Sequence, residues 1–155
     1  SIQTTEHVLA ALVGLEIDNV LIELNASEPP IMDGSSIYFV EALLNAGIEE
    51  QDAERYEYVV RENITFIDEE TGSEITVIPA DNYQVTTMVD FGTKVLGTQN
   101  ANLKSLTDFK ESFANARTFS FLHEIESKAL IPNFHLFLEM RLGHISSCLF
   151  LYLFQ

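Results

Sequence analysis

Residues 4–14, Thr-Thr-Glu-His-Val-Leu-Ala-Ala-Leu-Val-Gly, begin with two threonines and end with a glycine. A threonine hydroxyl can accept a hydrogen bond from the first amides of a helix, and a glycine commonly marks the end of one. Between these ends, apolar residues recur at the helical period, at Val8, Leu9, Leu12 and Val13. The stretch therefore predicts a helix that is capped by Thr4 or Thr5, ends at Gly14 and buries those four side chains.

A strand and a second helix are predicted next. Residues 19–24 (Asn-Val-Leu-Ile-Glu-Leu) are rich in branched aliphatic side chains, which is typical of a strand. Asp33-Gly34 has the chemistry of a turn, and we interpret it as structural. Ser35 or Ser36 can cap a helix that ends at Gly47. The side chains expected to point inward from that helix are Phe39, Val40, Leu43 and Leu44.

The polar and charged segment 49–57, Glu-Glu-Gln-Asp-Ala-Glu-Arg-Tyr-Glu, is the best candidate for a domain boundary. After it the pattern predicts strands at 58–60, 64–67, 74–78 and 84–91, a loop at 92–102 and a short helix at 107–115. Helix, strand and helix followed by a run of strands is typical of an α+β protein with helices packed on antiparallel sheets. The predicted units are residues 1–52, residues 57–126 and an atypical apolar tail at 127–155.

The composition is that of a chain able to bury a core, with 46% hydrophobic and 21% charged residues among 155. Its net charge of −16 repels nucleic acid and anionic membrane surfaces, so neither is expected as a partner. Cys148 is the lone cysteine, which forbids an internal disulfide and fits a reducing compartment.

The sequence shows no signal for export or membrane insertion. The first residues contain no basic segment before an apolar run, so no signal peptide is expected. The strongly apolar residues 148–154 are far fewer than the roughly 20 that a membrane-spanning helix needs. The sequence therefore predicts a cytoplasmic protein without stable membrane insertion, and it gives no oligomeric state.

Glu6 and His7 form an acid–histidine pair at the start of the first predicted helix. A histidine offers a metal ion a neutral nitrogen, and a glutamate can take a proton from a metal-bound water. The pair is weak evidence alone, because it occurs by chance in many proteins. Together with the rest of residues 5–12 and with Gly-Leu-Glu-Ile-Asp-Asn at 14–19, it resembles the UDP-3-O-acyl-N-acetylglucosamine deacetylases, the zinc-dependent deacetylases of lipid A synthesis.

The resemblance runs from Ser1 to about Glu126. Five segments carry it in the family's order: the Glu6-His7 helix and residues 14–19, 30–35, 46–51 and 116–121. It implies a two-domain α+β protein, each domain a layer of helices on a sheet. Residues 1–52 would be the C-terminal part of the first family domain and residues 57–126 the start of the second, so the fold is truncated relative to the family.

The resemblance also implies an activity, zinc-dependent hydrolysis of the N-acetyl group of a UDP-linked, 3-O-acylated glucosamine. His7 matches the first zinc ligand, and Glu6 matches the general base. Thr118 matches the hydroxyl that helps hold the developing oxyanion. Phe119 matches an aromatic residue beside the substrate's sugar, and Phe91 matches one near the nucleotide.

The chain departs from the family in its tail. The family supplies two more zinc ligands from a His-x-x-x-Asp helix, and this sequence contains no such motif. His135 and Glu139 have a similar spacing, and His144 follows a glycine as the family's general-acid histidine does. The nine residues from His135 to His144 leave no room for the elements between the family's motifs. We interpret these three residues as coincidental and only weak candidates for the remaining zinc ligands.

Two hypotheses follow from these observations. The first is a zinc-dependent deacetylase of lipid A biosynthesis whose zinc site is incomplete in this chain, because one histidine cannot hold a catalytic zinc. The alternative is a non-catalytic remnant or interaction module of the same fold that binds no metal. Zinc binding and hydrolysis of the UDP-sugar separate the two. The acyl-chain preference and any fusion to another domain are not predicted.

Overall fold

The computed structural model describes residues 1–92, 94 and 96–118. Their helices are α1 (Glu6–Gly14), α2 (Ile37–Ala46) and α3 (Phe109–Ser112), the last preceded by a 3-10 turn at Leu106–Asp108. Their strands are β1 (Ile64–Ile67), β2 (Glu74–Val77), β3 (Val85–Asp90) and β4 (Thr98–Leu103). The described part of the chain contains no helix of the length and apolarity needed to cross a bilayer.

The four strands form two antiparallel pairs. β1 pairs with β2 in a register that sets Ile64 opposite Val77, and β3 pairs with β4 with Val85 opposite Leu103. The first hairpin is exposed along its length, whereas burial alternates along β3. Helices combined with antiparallel sheets confirm the predicted α+β class.

One buried cluster joins the helices to the second hairpin. Ala11 of α1 and Val40 of α2 are fully buried, together with Ala114, and Leu103 and Phe109 are 3% and 4% exposed. Two of these residues belong to the predicted unit 1–52, and the others belong to the predicted unit 57–126. The two segments therefore share a hydrophobic core, and the domain boundary at 49–57 stays a prediction.

That segment is tied to the end of α1 by polar contacts. The Arg55 guanidinium donates to Asp18 Oδ2 at 2.9 Å and to the Glu16 carbonyl at 3.1 Å, and Asn19 Nδ2 donates to Gln51 Oε1 at 2.6 Å. The hydrogen bond and the charge of Asp18 raise the pKa of Arg55. The candidate boundary thus lies against the turn that follows α1.

All three predicted helices are present, the third in the shorter form of the 3-10 turn and α3, but the buried faces of α1 and α2 differ from the prediction. His7 and Ala11 are buried on α1 beside Leu12, whereas Leu9 and Val13 are 41% and 44% exposed. The small side chain of Ala11 lets Phe109 and Ala114 approach the helix, which turns this face inward. On α2 Val40 is buried and Leu44 is exposed.

The strand predictions were partly wrong. Residues 19–24 are not part of a hydrogen-bonded strand pair within the described chain, and neither are residues 58–60. A strand needs a partner to satisfy its backbone groups, and composition alone does not supply one. Residues 92–102 were predicted as a loop, yet β4 occupies their second half. The loop between β3 and β4 is shorter and is closed by a bond from the Phe91 amide to the Gly97 carbonyl, 3.1 Å.

Candidate functional site

Glu6 and His7 occupy the first turn of α1. The side chain of His7 is 3% exposed and that of Glu6 is 33% exposed, with 3.9 Å between Glu6 Oε1 and His7 Nε2. That separation is too long for a hydrogen bond. The pair combines an imidazole in the protein interior with a carboxylate that still reaches solvent.

The backbone just before this pair is anchored to the loop at 27–28. Gln3 N donates to the Ser27 carbonyl at 3.0 Å, and Thr4 Oγ1 donates to Glu28 Oε2 at 2.6 Å. Thr4 has φ +54°, which is uncommon for a β-branched residue. Thr5 occupies the N-cap position, but its side chain makes no capping hydrogen bond. The predicted threonine cap is therefore absent, and the hydroxyl of Thr4 binds Glu28 instead.

A second part of the site is a tight turn at residues 31–34. The Gly34 amide donates to the Ile31 carbonyl at 2.9 Å, with φ +52° at Met32 and +82° at Gly34. Asp33 Oδ1 accepts from the Ser35 amide at 3.1 Å and from the Ser35 hydroxyl at 2.6 Å. The turn predicted at Asp33-Gly34 is therefore confirmed, and it leads directly into α2.

The other oxygen of Asp33 pairs with a distant arginine. Arg117 Nε and Nη2 lie 3.0 Å and 2.9 Å from Asp33 Oδ2, and the Asp33 side chain is 14% exposed. Sequence reasoning missed this contact, since 84 residues separate the partners. One feature of the sequence could have pointed to Arg117. The strongly acidic chain has only 8 Lys and Arg residues, and Arg117 is next to the candidate site residue Thr118.

Thr118 lies beside the same turn. Its amide donates to the Gly34 carbonyl at 2.8 Å, and a Cβ on Gly34 would stand 3.3 Å from Thr118 Cγ2. The absence of a side chain at Gly34 thus permits the close approach of Thr118. Two of the five sequence segments, 30–35 and 116–121, meet at this contact.

The other predicted site residues divide between two regions. Phe91 follows β3 at the end of the second hairpin and is half-buried. Phe119, His135, Glu139 and His144 lie outside the described residues, as does the predicted tail at 127–155.

An apolar groove of about 360 Å³ lies on another face of α1, between that helix, α2 and residues 20–23. Val8, Leu12, Phe39 and Leu43 are among its lining residues, and Glu23 is the only charged one. Such a lining offers mainly apolar surface for packing, and it includes none of the candidate site residues Glu6, His7 and Thr118. The candidate chemistry therefore belongs to the Glu6-His7 turn and to Thr118.

A family model described as "LpxC: UDP-3-O-acyl N-acetylglycosamine deacetylase" matches residues 1–131. The chain belongs to this deacetylase family. The match covers both predicted units and includes the Glu6-His7 turn, the turn at 31–34 and Thr118.

Curated relatives agree with the family. The chain is 48% identical over 129 residues to the "Bifunctional enzyme LpxC/FabZ" of Chlorobaculum tepidum, covering 83% of this chain and 28% of that protein. It is 41% identical over 128 residues to the UDP-3-O-acyl-N-acetylglucosamine deacetylase of Hahella chejuensis, covering 81% of this chain and 42% of the relative. The chain thus spans less than half the length of these deacetylase-family relatives.

The described residues supply only part of a metal site. Histidine nitrogen and carboxylate oxygen are donors that zinc accepts, and His7 and Glu6 provide one of each. Within residues 1–92, 94 and 96–118, however, no group of three histidine, cysteine, aspartate or glutamate side chains could hold a metal ion. A catalytic zinc usually takes three protein ligands, so the described residues do not form a complete site.

Proposed function

We propose that the protein containing this chain hydrolyses the N-acetyl group of UDP-3-O-acyl-N-acetylglucosamine in lipid A biosynthesis. The observation that carries the proposal is the family match over residues 1–131, which includes the Glu6-His7 turn with its buried imidazole. A nucleotide-linked sugar is a small-molecule substrate, which fits a chain that is neither basic nor membrane-spanning in its described part. A cytoplasmic location remains part of the proposal.

Zinc is the proposed cofactor, and when bound it activates water and polarises the amide carbonyl. His7 would contribute one ligand nitrogen, and the remaining ligands would come from outside residues 1–118. Glu6 is the proposed general base, since its carboxylate is one residue from the ligand and still reaches solvent. Thr118 is proposed to hold the oxyanion that develops when water adds to the carbonyl carbon.

Two aromatic residues are proposed to bind the substrate. Phe91, at the end of the second hairpin, would contact the nucleotide, and Phe119 would contact the sugar. Phe119 directly follows Thr118 in the sequence, so the proposed sugar contact and the proposed oxyanion contact belong to neighbouring residues. Both assignments follow the resemblance, and replacing either residue with alanine should raise KM for the UDP-sugar.

The test is hydrolysis of UDP-3-O-acyl-N-acetylglucosamine by the purified protein, expressed with any sequence that flanks the chain in its gene. We expect acetate release that stops in Glu6→Gln, with a loss of at least about 100-fold, as is typical when a general base is removed. Glu41→Gln, an exposed change on α2, is the matched control and should keep the wild-type rate.

The zinc content of Glu6→Gln should equal that of the wild type, because the change removes a base and leaves His7 in place. An unchanged rate in Glu6→Gln would refute the role of Glu6. A wild-type protein that binds the UDP-sugar without hydrolysing it would refute the proposed activity and support the non-catalytic alternative.

A further inference from the structure

We propose that Asp33 and Arg117 act as positioning residues that set the place of the Thr118 hydroxyl. The inference rests on the proposed function, because it matters for turnover only if Thr118 acts in the reaction. Asp33 and Arg117 form the ion pair described above, and sequence reasoning assigned no catalytic role to either residue.

The carboxylate of Asp33 divides its two oxygens between two segments. Oδ1 accepts both bonds from Ser35, and Oδ2 takes both contacts from Arg117. Asp33 therefore joins the start of α2 to the segment that carries Thr118. Few other side chains could do this, since the arrangement needs two acceptor atoms held in one plane.

Three contacts fasten residues 114–118 to this turn. The Ser36 amide donates to the Ala114 carbonyl at 3.0 Å, and the Thr118 amide donates to the Gly34 carbonyl at 2.8 Å. The Asp33–Arg117 pair is the third contact. It is the only one of the three that depends on side chains, so it can be removed without deleting the others.

Arg117 suits this task better than lysine would. Its planar guanidinium reaches Oδ2 with two nitrogens, which fixes direction as well as distance. A lysine would keep the charge but supply a single flexible contact. The backbone next to Thr118 would then gain freedom, and a displacement of about 1 Å in a catalytic group can cost roughly 100-fold in rate.

The first experiment compares kcat and KM for Arg117→Lys, Thr118→Ala and the double variant, with Arg55→Lys as the matched control. Arg55 also makes aspartate and glutamate contacts, but it belongs to the segment at 49–57. We expect Arg117→Lys to lower kcat by roughly 10- to 100-fold with KM within about twofold, and Arg55→Lys to leave both constants unchanged.

The double variant separates positioning from a general structural effect. If Arg117 acts through Thr118, then Arg117→Lys causes no further loss once Thr118 is alanine. A loss of the same size in both backgrounds would overturn the proposal. Asp33→Asn, which keeps the size of the side chain and removes its charge, should reproduce the effect of Arg117→Lys.

A second measurement does not depend on activity. Amide hydrogen exchange at Thr118 should become at least about 10-fold faster in Arg117→Lys, while exchange at the buried Val40 stays unchanged. Unaltered exchange at Thr118 would overturn the positioning role. Faster exchange in a protein with no wild-type hydrolysis would support the positioning of Thr118 and refute the proposed function alone.

Discussion

Gly14, the last residue of α1, lies against the ring of Phe109, the first residue of α3. A Cβ on Gly14 would stand 2.6 Å from Phe109 Cε1 and closer still to Cδ1, which no real structure tolerates. Phe109 is 4% exposed and belongs to the shared core, so its ring cannot simply move into solvent. This contact joins the first helix to the segment that leads to Thr118.

We therefore expect Gly14→Ala to lower the free energy of unfolding by about 1–3 kcal/mol, as overpacked sites generally do. This loss of stability is expected even though alanine is more favourable than glycine within a helix, by up to about 1 kcal/mol. Urea unfolding of the purified chain measures the effect. Val13→Ala, on the exposed side of the same turn, is the control and should stay near the wild type. Equal stabilities of the two variants would show that the contact does not constrain the fold.

The contact between Gly34 and Thr118 permits a matched pair of substitutions. Gly34 and Gly47 both have positive φ, +82° and +89°, but only Gly34 has Thr118 within reach of an added Cβ. We expect Gly34→Ala and Gly47→Ala each to cost about 1–3 kcal/mol of stability, because L residues are disfavoured at a positive φ. Turnover should fall in Gly34→Ala alone. A comparable fall in Gly47→Ala would mean that lost stability, rather than displacement of Thr118, explains the effect.

Acid titration of Asp68 tests whether the hydrogen bonds in the loop between β1 and β2 stabilise the ionised carboxylate. The hydroxyl of Thr71, at 2.7 Å from Oδ2, and the amide of Glu70 hold the pKa of Asp68 below its ordinary value of 3.8. Because the folded pKa is the lower one, the stabilisation is present above the unfolded pKa and is lost as the pH falls through the folded pKa.

Thr71→Val should raise the pKa of Asp68, because it removes the hydroxyl that donates to the carboxylate. Carbon-13 NMR of the Asp68 side-chain carboxyl measures the pKa in both proteins. If the Asp68 pKa in Thr71→Val equals that of the wild type, the hydroxyl does not hold the carboxylate ionised.

Local patterns predicted the helices and the α+β class. Gly14 and Gly47 marked helix ends correctly, and the period of apolar residues located α1 and α2. The buried face of α1 was not predictable, because it depends on Phe109 and Ala114, residues distant in sequence that pack on Ala11. Hydrophobicity alone favoured Leu9 and Val13 over the small alanine.

In the candidate site, too, local features were predictable and long-range contacts were not. Glu6, His7 and Thr118 were identified by resemblance, and the turn at Asp33 was identified from its residue types. The ion pair between Asp33 and Arg117 could not be predicted from the sequence, because the two residues are 84 positions apart and only the folded chain brings them together. Residues 19–24 show the converse error, because an aliphatic run predicts extended backbone but does not specify a partner strand.

The most direct test of the central claim, that His7 is a ligand in a zinc deacetylase, is the zinc content of the purified protein beside that of His7→Ala. The protein should be expressed with any sequence that flanks the chain, and zinc should be measured by atomic emission after dialysis. We expect about one zinc per chain in the wild type and its loss in His7→Ala. No zinc in the wild type, or equal zinc in both proteins, would contradict it.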